Sequence, residues 1–284
     1  ITTTSPAVNP RLRKEMLAAM QEGYQCRLLY FHLGIWADSH SQEWVKRNAI
    51  KARIINPTKK QFIPWFIFSS IQKAAQVFYP LFHRFTALNA YASDKRSLFL
   101  QLALHQYPQH PDFIVAHNPG ALYPAYRYAR RLRIPFAFDV EDYHPGERVH
   151  DPKGYEKQRR EHLLKTLLPH AAFVSYASPL IGEYTLRLMD KPLHRHVLLN
   201  NAFPAAEFIP PKPVAHARLQ LVWFSQNIDF GRGLEQVIMA AIPYQTQLEI
   251  TLIGHAREPF RQYWLEPHNH FVHYREPLSQ EQLH

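Results

Sequence analysis

The chain contains a single cysteine, Cys26, in 284 residues, which excludes an internal disulfide and any Cys-x-x-Cys metal site and fits a reducing compartment. It has no run of about 18 apolar residues, so nothing is expected to span a membrane as a helix. The short catalytic signatures are missing as well. There is no G-x-G-x-x-G and no P-loop, no H-E-x-x-H or other metal-ligand spacing, and no G-x-S-x-G. A dinucleotide fingerprint, a zinc hydrolase and a nucleophile elbow are therefore not what the sequence offers, and no metal is expected. Low-complexity tracts are absent. No methionine or signal-peptide pattern stands at Ile1-Thr2-Thr3, so the expectation is a segment that starts inside a longer reading frame and stops abruptly at LSQEQLH.

What remains is a basic globular chain. With 33 Lys and Arg against 23 Asp and Glu it carries a formal charge of +10, and its pI is near 9.6. That balance favours an anionic partner, whether nucleic acid, a phosphorylated substrate or an anionic membrane surface. Such a length is more than one core usually holds, and two domains are expected, spanning 1–210 and 211–284.

Asp112 to Glu147 organises the first of them. An apolar run, Phe113 to Ala116, leads to His117, Asn118, Pro119 and Gly120; Leu122, Tyr126, Ala129 and Leu132 follow at helical spacing; a second apolar run, Pro135 to Phe138, ends in Asp139, Glu141, Asp142 and His144. Two short strands joined by one helix must lie parallel. Ligands bind beyond the carboxyl ends of such strands, where both clusters fall, so the two should face one cleft. The carboxylates could serve as general base, hold substrate hydroxyls or bind a metal; singly, each is more often a loop cap or a surface charge. His117 and His144 in the same cleft shift that balance. With 18 histidines in the chain, His105, His110, His268, His270 and His273 receive no role.

Elsewhere the β/α alternation continues. Ile1 to Thr4 reads as the tail of a strand. A loop then feeds a helix near Pro10 with Leu12, Met16 and Met20 on one stripe, and Asn9 and Arg11 at this junction are candidates for an anion or a sugar hydroxyl, an ordinary turn being as good a reading. CRLLYFHLG supplies a strand and Arg53 to Asn56 another. From Gln61 to Tyr107 aromatics interleave with Lys59, Lys60, Lys73, His83 and Arg84. One reading is an interfacial helix pair at an anionic membrane; the preferred one is helices packed on the sheet, broken at Pro64 and Pro80. Nucleic acid receives little weight, because aromatics at helical spacing are usually buried. Gly154 to Leu168 is a charged helix whose basic face is most simply solvated. AAFVSYAS is a buried strand, Ser178 an N-cap, and Asn200 and Asn201 close one more strand. The prolines of FIPPKPVAHA read as a linker. A second β/α repeat starts near Leu219: strand LQLVWF, loop SQNIDFGRG, helix LEQVIMAAI, strand LEITLIG, helix, strand HFVHY. Its glycine-flanked Arg232, between Gly231 and Gly233, could meet a phosphate at a helix start, and Gly254 a base or ribose.

Taken together, DFIVAHNP…IPFAFDVEDYHPGE, FVSYASPLIGEYTLRLM…VLLNNAFP and LVWFSQNIDFGRGLEQVIMA resemble, in order, segments of the two-domain retaining glycosyltransferases of GT-B architecture, the group often called family 4. The resemblance implies an α/β chain with two Rossmann-like domains, the second incomplete. It further implies transfer of a sugar from a nucleotide diphosphate sugar, without other cofactor, to a glycan or lipid-linked acceptor, with retention; the expected location is cytoplasmic or peripheral at the inner face of the membrane, where the basic aromatic region would have a membrane-surface purpose. Carried over residue by residue, Arg232 matches a basic residue that meets the donor diphosphate, and Gln226 stands where a second basic residue is usual. Glu141 stands where the family commonly has histidine, which leaves His117, Glu141, Asp142 and His144 as the catalytic candidates. Gln226, Gly231, Arg232, Gly233 and Gly254 are the donor-side candidates, and Asn9, Arg11 and Asn118 those for the acceptor. A later pair of family glutamates would fall beyond His284, so a protein ending there is expected not to bind donor normally. The alternatives are a sugar-nucleotide epimerase and a non-catalytic or truncated homologue that binds acceptor or membrane.

Overall fold

The computed structural model describes residues 1–35, 37–56, 62–147, 151–202 and 217–278. The chain divides into two compact units, Ile1–Asn201 and Ala202–His284. The expected domain boundary at 210 and the proline linker before Ala217 lie outside the described residues.

Unit 1 alternates strand and helix: α1 (Pro10–Gln21), β1 (Arg27–Phe31), α2 (Ala37–Arg47), β2 (Lys51–Ile55), then three helices, α3 (Phe62–Phe82), α4 (Thr86–Ser93) and α5 (Lys95–His105). The expected βαβ unit follows as β3 (Ile114–His117), α6 (Pro119–Leu132) and β4 (Phe136–Val140), and after it α7 (Tyr155–Leu167), β5 (Phe173–Tyr176), α8 (Pro179–Leu188) and β6 (His196–Leu198). β1 pairs with β2, and β3 to β6 pair in sequence order, all parallel. Ile1–Thr4 joins these two sheets. Thr2 N–H donates to Leu29 and Thr4 carbonyl accepts from Phe31 on one side, while His117 N–H donates to Ile1 on the other, where Thr2 and His117 form a parallel bridge. The chain thus leaves this central segment toward β1 and β2 and later returns on its other side with β3, a topological switch point.

Alternation along β1 shows the double winding. Leu28 and Tyr30 pack with Leu12 of α1 and Trp44 of α2, whereas Leu29 and Phe31 join the larger core of α4 to α7 with β3, β4 and β5. Every residue of β4 is buried, as a parallel strand covered on both faces requires.

Two expectations about the helices are corrected. Pro64 and Pro80 do not break α3: Pro64 lies in the first turn, where its missing N–H has no helical partner, and Pro80 lies in the last. The helix also buries only part of its surface. Ala75 and Tyr79 are buried, but Ile63, Phe66, Ile67, Phe78 and Leu81 are exposed. The basic face of α7 is not simply solvated either. Arg159 is buried, held by Glu156 at 2.8 Å and lying 4.9 Å from the Tyr79 ring centroid, and Arg160 reaches Glu147 at 2.6 Å. Ser178 caps α8 as expected, accepting from Ile181 N–H.

Unit 2 is a three-stranded parallel sheet among the described residues, in the order β7 (Leu219–Ile228), β8 (Leu248–Ala256), β9 (Val272–Arg275), with α9 (Leu234–Ala241) between its first two strands. β7 runs past Phe224, where the sequence suggested a loop, through a bulge between Phe224 and Asn227. No helix among the described residues is long and apolar enough to cross a membrane.

Candidate functional site

The carboxyl edge at the switch point of unit 1 is a polar network set into apolar surroundings. Its deepest member is Asp139, fully buried in β4. Arg11 Nε and Nη2 donate to its two oxygens, each at 2.7 Å, and Ser175 Oγ donates to one of them at 2.6 Å. The third Arg11 contact goes to the Leu199 carbonyl at 2.6 Å. The guanidinium and the carboxylate are therefore engaged with each other, and the Asp139 hydrogen bond holds Arg11 firmly charged. Such a fork between α1 and β4 fixes the first helix on the sheet.

Glu141 is the second hub. One carboxylate oxygen accepts from Asn9 Nδ2 and lies 3.0 Å from His117 Nδ1; the other accepts from Asn118 Nδ2 at 3.1 Å. Asn9 is also the N-cap of α1, its Oδ1 accepting from Leu12 N–H. Asn118 begins α6 with φ +69° and ψ 147°, a region nearly confined to glycine. Its surroundings hold it there: its Oδ1 accepts from Thr2 Oγ1 and from Thr4 Oγ1, the latter at 3.0 Å. Strained backbone kept in place by several bonds is common at functional sites.

On its other side His117 Nε2 lies 3.4 Å from Glu15 Oε2. Burial pushes the Glu15 carboxyl up to about 7 against the attraction of His117, and its other oxygen is buried without a hydrogen bond among the described residues. Glu15, His117 and Asp139 bring one ligand atom each to within 4.8 Å of one another. The Arg11 guanidinium already occupies Asp139, so a divalent ion there would have to displace a paired cation.

A cavity of about 760 Å³ adjoins this network, lined by Thr3, Thr4, Asn118, Gly120, His144, Glu147 and neighbouring residues of α3, α5 and α7. His144 sits in a short helical turn, His144–Gly146. Its Nδ1 lies 2.7 Å from Glu147 Oε1, and that hydrogen bond holds the Glu147 carboxyl below its ordinary range. His144 Nε2 is buried with no hydrogen-bond partner among the described residues. A second cavity, about 600 Å³ between α5 and α6, contains none of the candidate residues.

The structure thus unites Asn9, Arg11, His117, Asn118 and Glu141 in one network, with His144 on the adjoining cavity and Asp142 exposed beside it, its carbonyl accepting from His144 N–H. Sequence reasoning missed Glu15 and Ser175. Glu15 lies one helical turn after Arg11 and so shares its face; Ser175 is a polar residue within an apolar strand. Both signals were readable.

In unit 2, Gly231, Arg232 and Gly233 form the exposed turn into α9, with φ +76° and +80° at the glycines. Arg232 Nη1 donates to Ser225 Oγ at 3.2 Å. Gly231 N–H donates to Glu235 Oε1 at 2.7 Å, so a side-chain carboxylate already sits on one donor of this turn. Gln226 is exposed in the bulged part of β7. Gly254 is within β8 rather than closing it, at φ +152°, and a Cβ there would stand 2.1 Å from the Ser225 carbonyl oxygen. Close approach of β7 thus accounts for this glycine without a ligand.

No protein-family model matches the chain, and no curated protein matches it in sequence. Solved structures do match in fold. HepE of Anabaena, in complex with UDP and glucose, superposes with a TM-score of 0.60 at 14% identity, covering 99% of this chain and 70% of that one. A putative UDP-N-acetylglucosamine 2-epimerase from Listeria monocytogenes gives 0.55 at 13%, with 99% and 69% covered. Sucrose-phosphate synthase from Thermosynechococcus elongatus gives 0.50 at 15%, with 66% and 50% covered. The chain is an α/β protein with parallel sheets that resembles GT-B fold structures over about 70% of their length.

Proposed function

We propose that the protein is a nucleotide-sugar-dependent glycosyltransferase, with unit 1 taking the acceptor and unit 2 the nucleotide diphosphate, and that transfer retains the anomeric configuration. The observation that carries this reading is the network of Asn9, His117, Asn118 and Glu141 at the switch point of a GT-B-like fold, beside a cavity that His144 lines. HepE, of like fold, was determined with UDP-glucose. The acceptor hydroxyl is assigned to His144: Glu147 fixes Nδ1, which leaves Nε2 for a ligand, the arrangement of an oriented general base or hydrogen-bond acceptor. Glu141, saturated by three side chains, positions Asn118 and His117 instead. The departing diphosphate is assigned to Arg232 and the N–H groups of its turn.

The test is titration of the protein with UDP and UDP-glucose, followed by assay of sugar transfer. Arg232→Ala should weaken UDP binding about tenfold, and Glu235→Gln, which removes the competing carboxylate charge, should strengthen it. His144→Ala should lower transfer by about a hundredfold or more with UDP affinity unchanged. Absence of UDP binding by the protein at its full natural length would sink the proposal. A sugar product inverted at C2 would instead support an epimerase, the activity after which the Listeria neighbour is named.

A further inference from the structure

α3 has two faces with opposite surroundings. On one, Gln72 and Gln76 donate to the Ala92 carbonyl, Ala75 and Tyr79 are buried, and Trp65 and Gln72 line the 760 Å³ cavity. On the other, Ile63, Phe66, Ile67, Ile71, Phe78 and Leu81 fall on one helical stripe, at i, i+3, i+4, i+8, i+15 and i+18. They are turned outward: Ile63 is 70%, Phe66 55% and Leu81 76% exposed. Val77 and Phe82 widen the stripe, and Phe85 extends it past the helix end. At about 1.5 Å per residue the helix is about 30 Å long, so this is one apolar surface along a whole element, larger than scattered surface residues produce.

Along the sequence the charge that flanks it has one sign, and the acids that the structure brings near it, Asp94 and Glu156, line the cavity on its inner side with Trp65 and Gln72. Between Glu43 and Asp94 the sequence has eight Lys or Arg and no Asp or Glu. Lys73 is exposed on α3 itself, and Arg84 follows its end. A helix with an apolar outer stripe, too polar along its length to cross a bilayer and set in a cationic stretch, matches the chemistry of an anionic lipid interface. Its aromatic and aliphatic side chains would enter the boundary between headgroups and acyl chains, and the basic residues would meet lipid phosphates. A second copy of the chain would place like charges against each other, which the same composition opposes.

We propose that the outer face of α3 is a docking surface for an anionic bilayer, with the helix lying in the plane of the interface. This goes beyond the transferase reading and does not rest on it. The test is co-sedimentation of the protein with vesicles of phosphatidylglycerol in phosphatidylcholine and with vesicles of phosphatidylcholine alone. Binding is expected on the anionic vesicles, falling as salt is raised. The double variant Phe66→Gln, Phe78→Gln should bind at least about tenfold less tightly, and Lys73→Glu should weaken binding to the anionic vesicles selectively. These positions are exposed, and an unchanged circular dichroism spectrum and melting temperature show that the fold survives. Failure of the wild-type protein to bind anionic vesicles overturns the proposal, as does equal binding by the double variant. A concentration-dependent dimer in sedimentation velocity that the double variant abolishes, without vesicle binding, assigns the face to a second copy and also overturns it.

Discussion

Glu15→Gln is expected to remove a pH-dependent loss of stability. The Glu15 carboxyl is raised from 4.5 to about 7 in the folded chain, chiefly because it is buried; the nearby Asp139 and Glu141 add to the rise, and His117 and Arg11 oppose it. Where pH lies between those two values the folded state keeps a proton that the unfolded state has released, so stability falls as pH rises across the window. At about 1.4 kcal/mol per pH unit the full effect is about 3 kcal/mol. Because the side chain keeps 29% of its exposure, solvent screening brings the expectation to about 2–3 kcal/mol. Glutamine keeps the size and cannot ionise. The variant should match the wild-type protein below pH 4.5 and exceed its stability by that amount above about pH 7. Urea unfolding at a series of pH values, extrapolated to water at each, measures the difference. Parallel stability curves for the two proteins would refute the reasoning, because they would mean that Glu15 ionises in the folded state as readily as in the unfolded one.

Asp139→Ala should destabilise unit 1 by about 3–5 kcal/mol in the same assay, since it leaves the Arg11 guanidinium buried without its partner; a loss under about 1 kcal/mol would show that solvent reaches Arg11. Gly254→Ala should cost on the order of 2 kcal/mol or more through the clash with the Ser225 carbonyl. Limited proteolysis should then cut unit 2 while unit 1 resists, and an unchanged digestion pattern would contradict the close approach of β7 and β8.

Much of this architecture was legible because its signals are local. The strand–helix–strand pattern from Asp112 to Glu147, the Ser178 cap and the start of α1 at Pro10 each follow from a few adjacent residues. The assembly of the network was less so. Arg11 reads as a candidate for an anion or a sugar hydroxyl, and it is β4 that supplies the anion by bringing Asp139 against it; Ser175 stands out as a polar residue in an apolar strand, but its partner follows only from the pairing of β5 with β4. The exposure of α3 was misjudged for a related reason: aromatic residues at helical spacing identify a helix, but which of its faces meets the sheet depends on neighbours far away in sequence. Gly254 looked like a ligand contact, and the cause is a bulge in the adjacent strand.

The Ile1–Thr4 segment ties the site to the order in which the fold can form. It pairs with Leu29 and Phe31 on one side and with His117 on the other, and its threonines hold Asn118. Contacts that span more than a hundred residues require closing a long loop before any bond rewards it. The conformation of Asn118 should therefore be among the last features to appear in refolding, after α6 and its flanking strands, and among the first to loosen when that short central segment detaches.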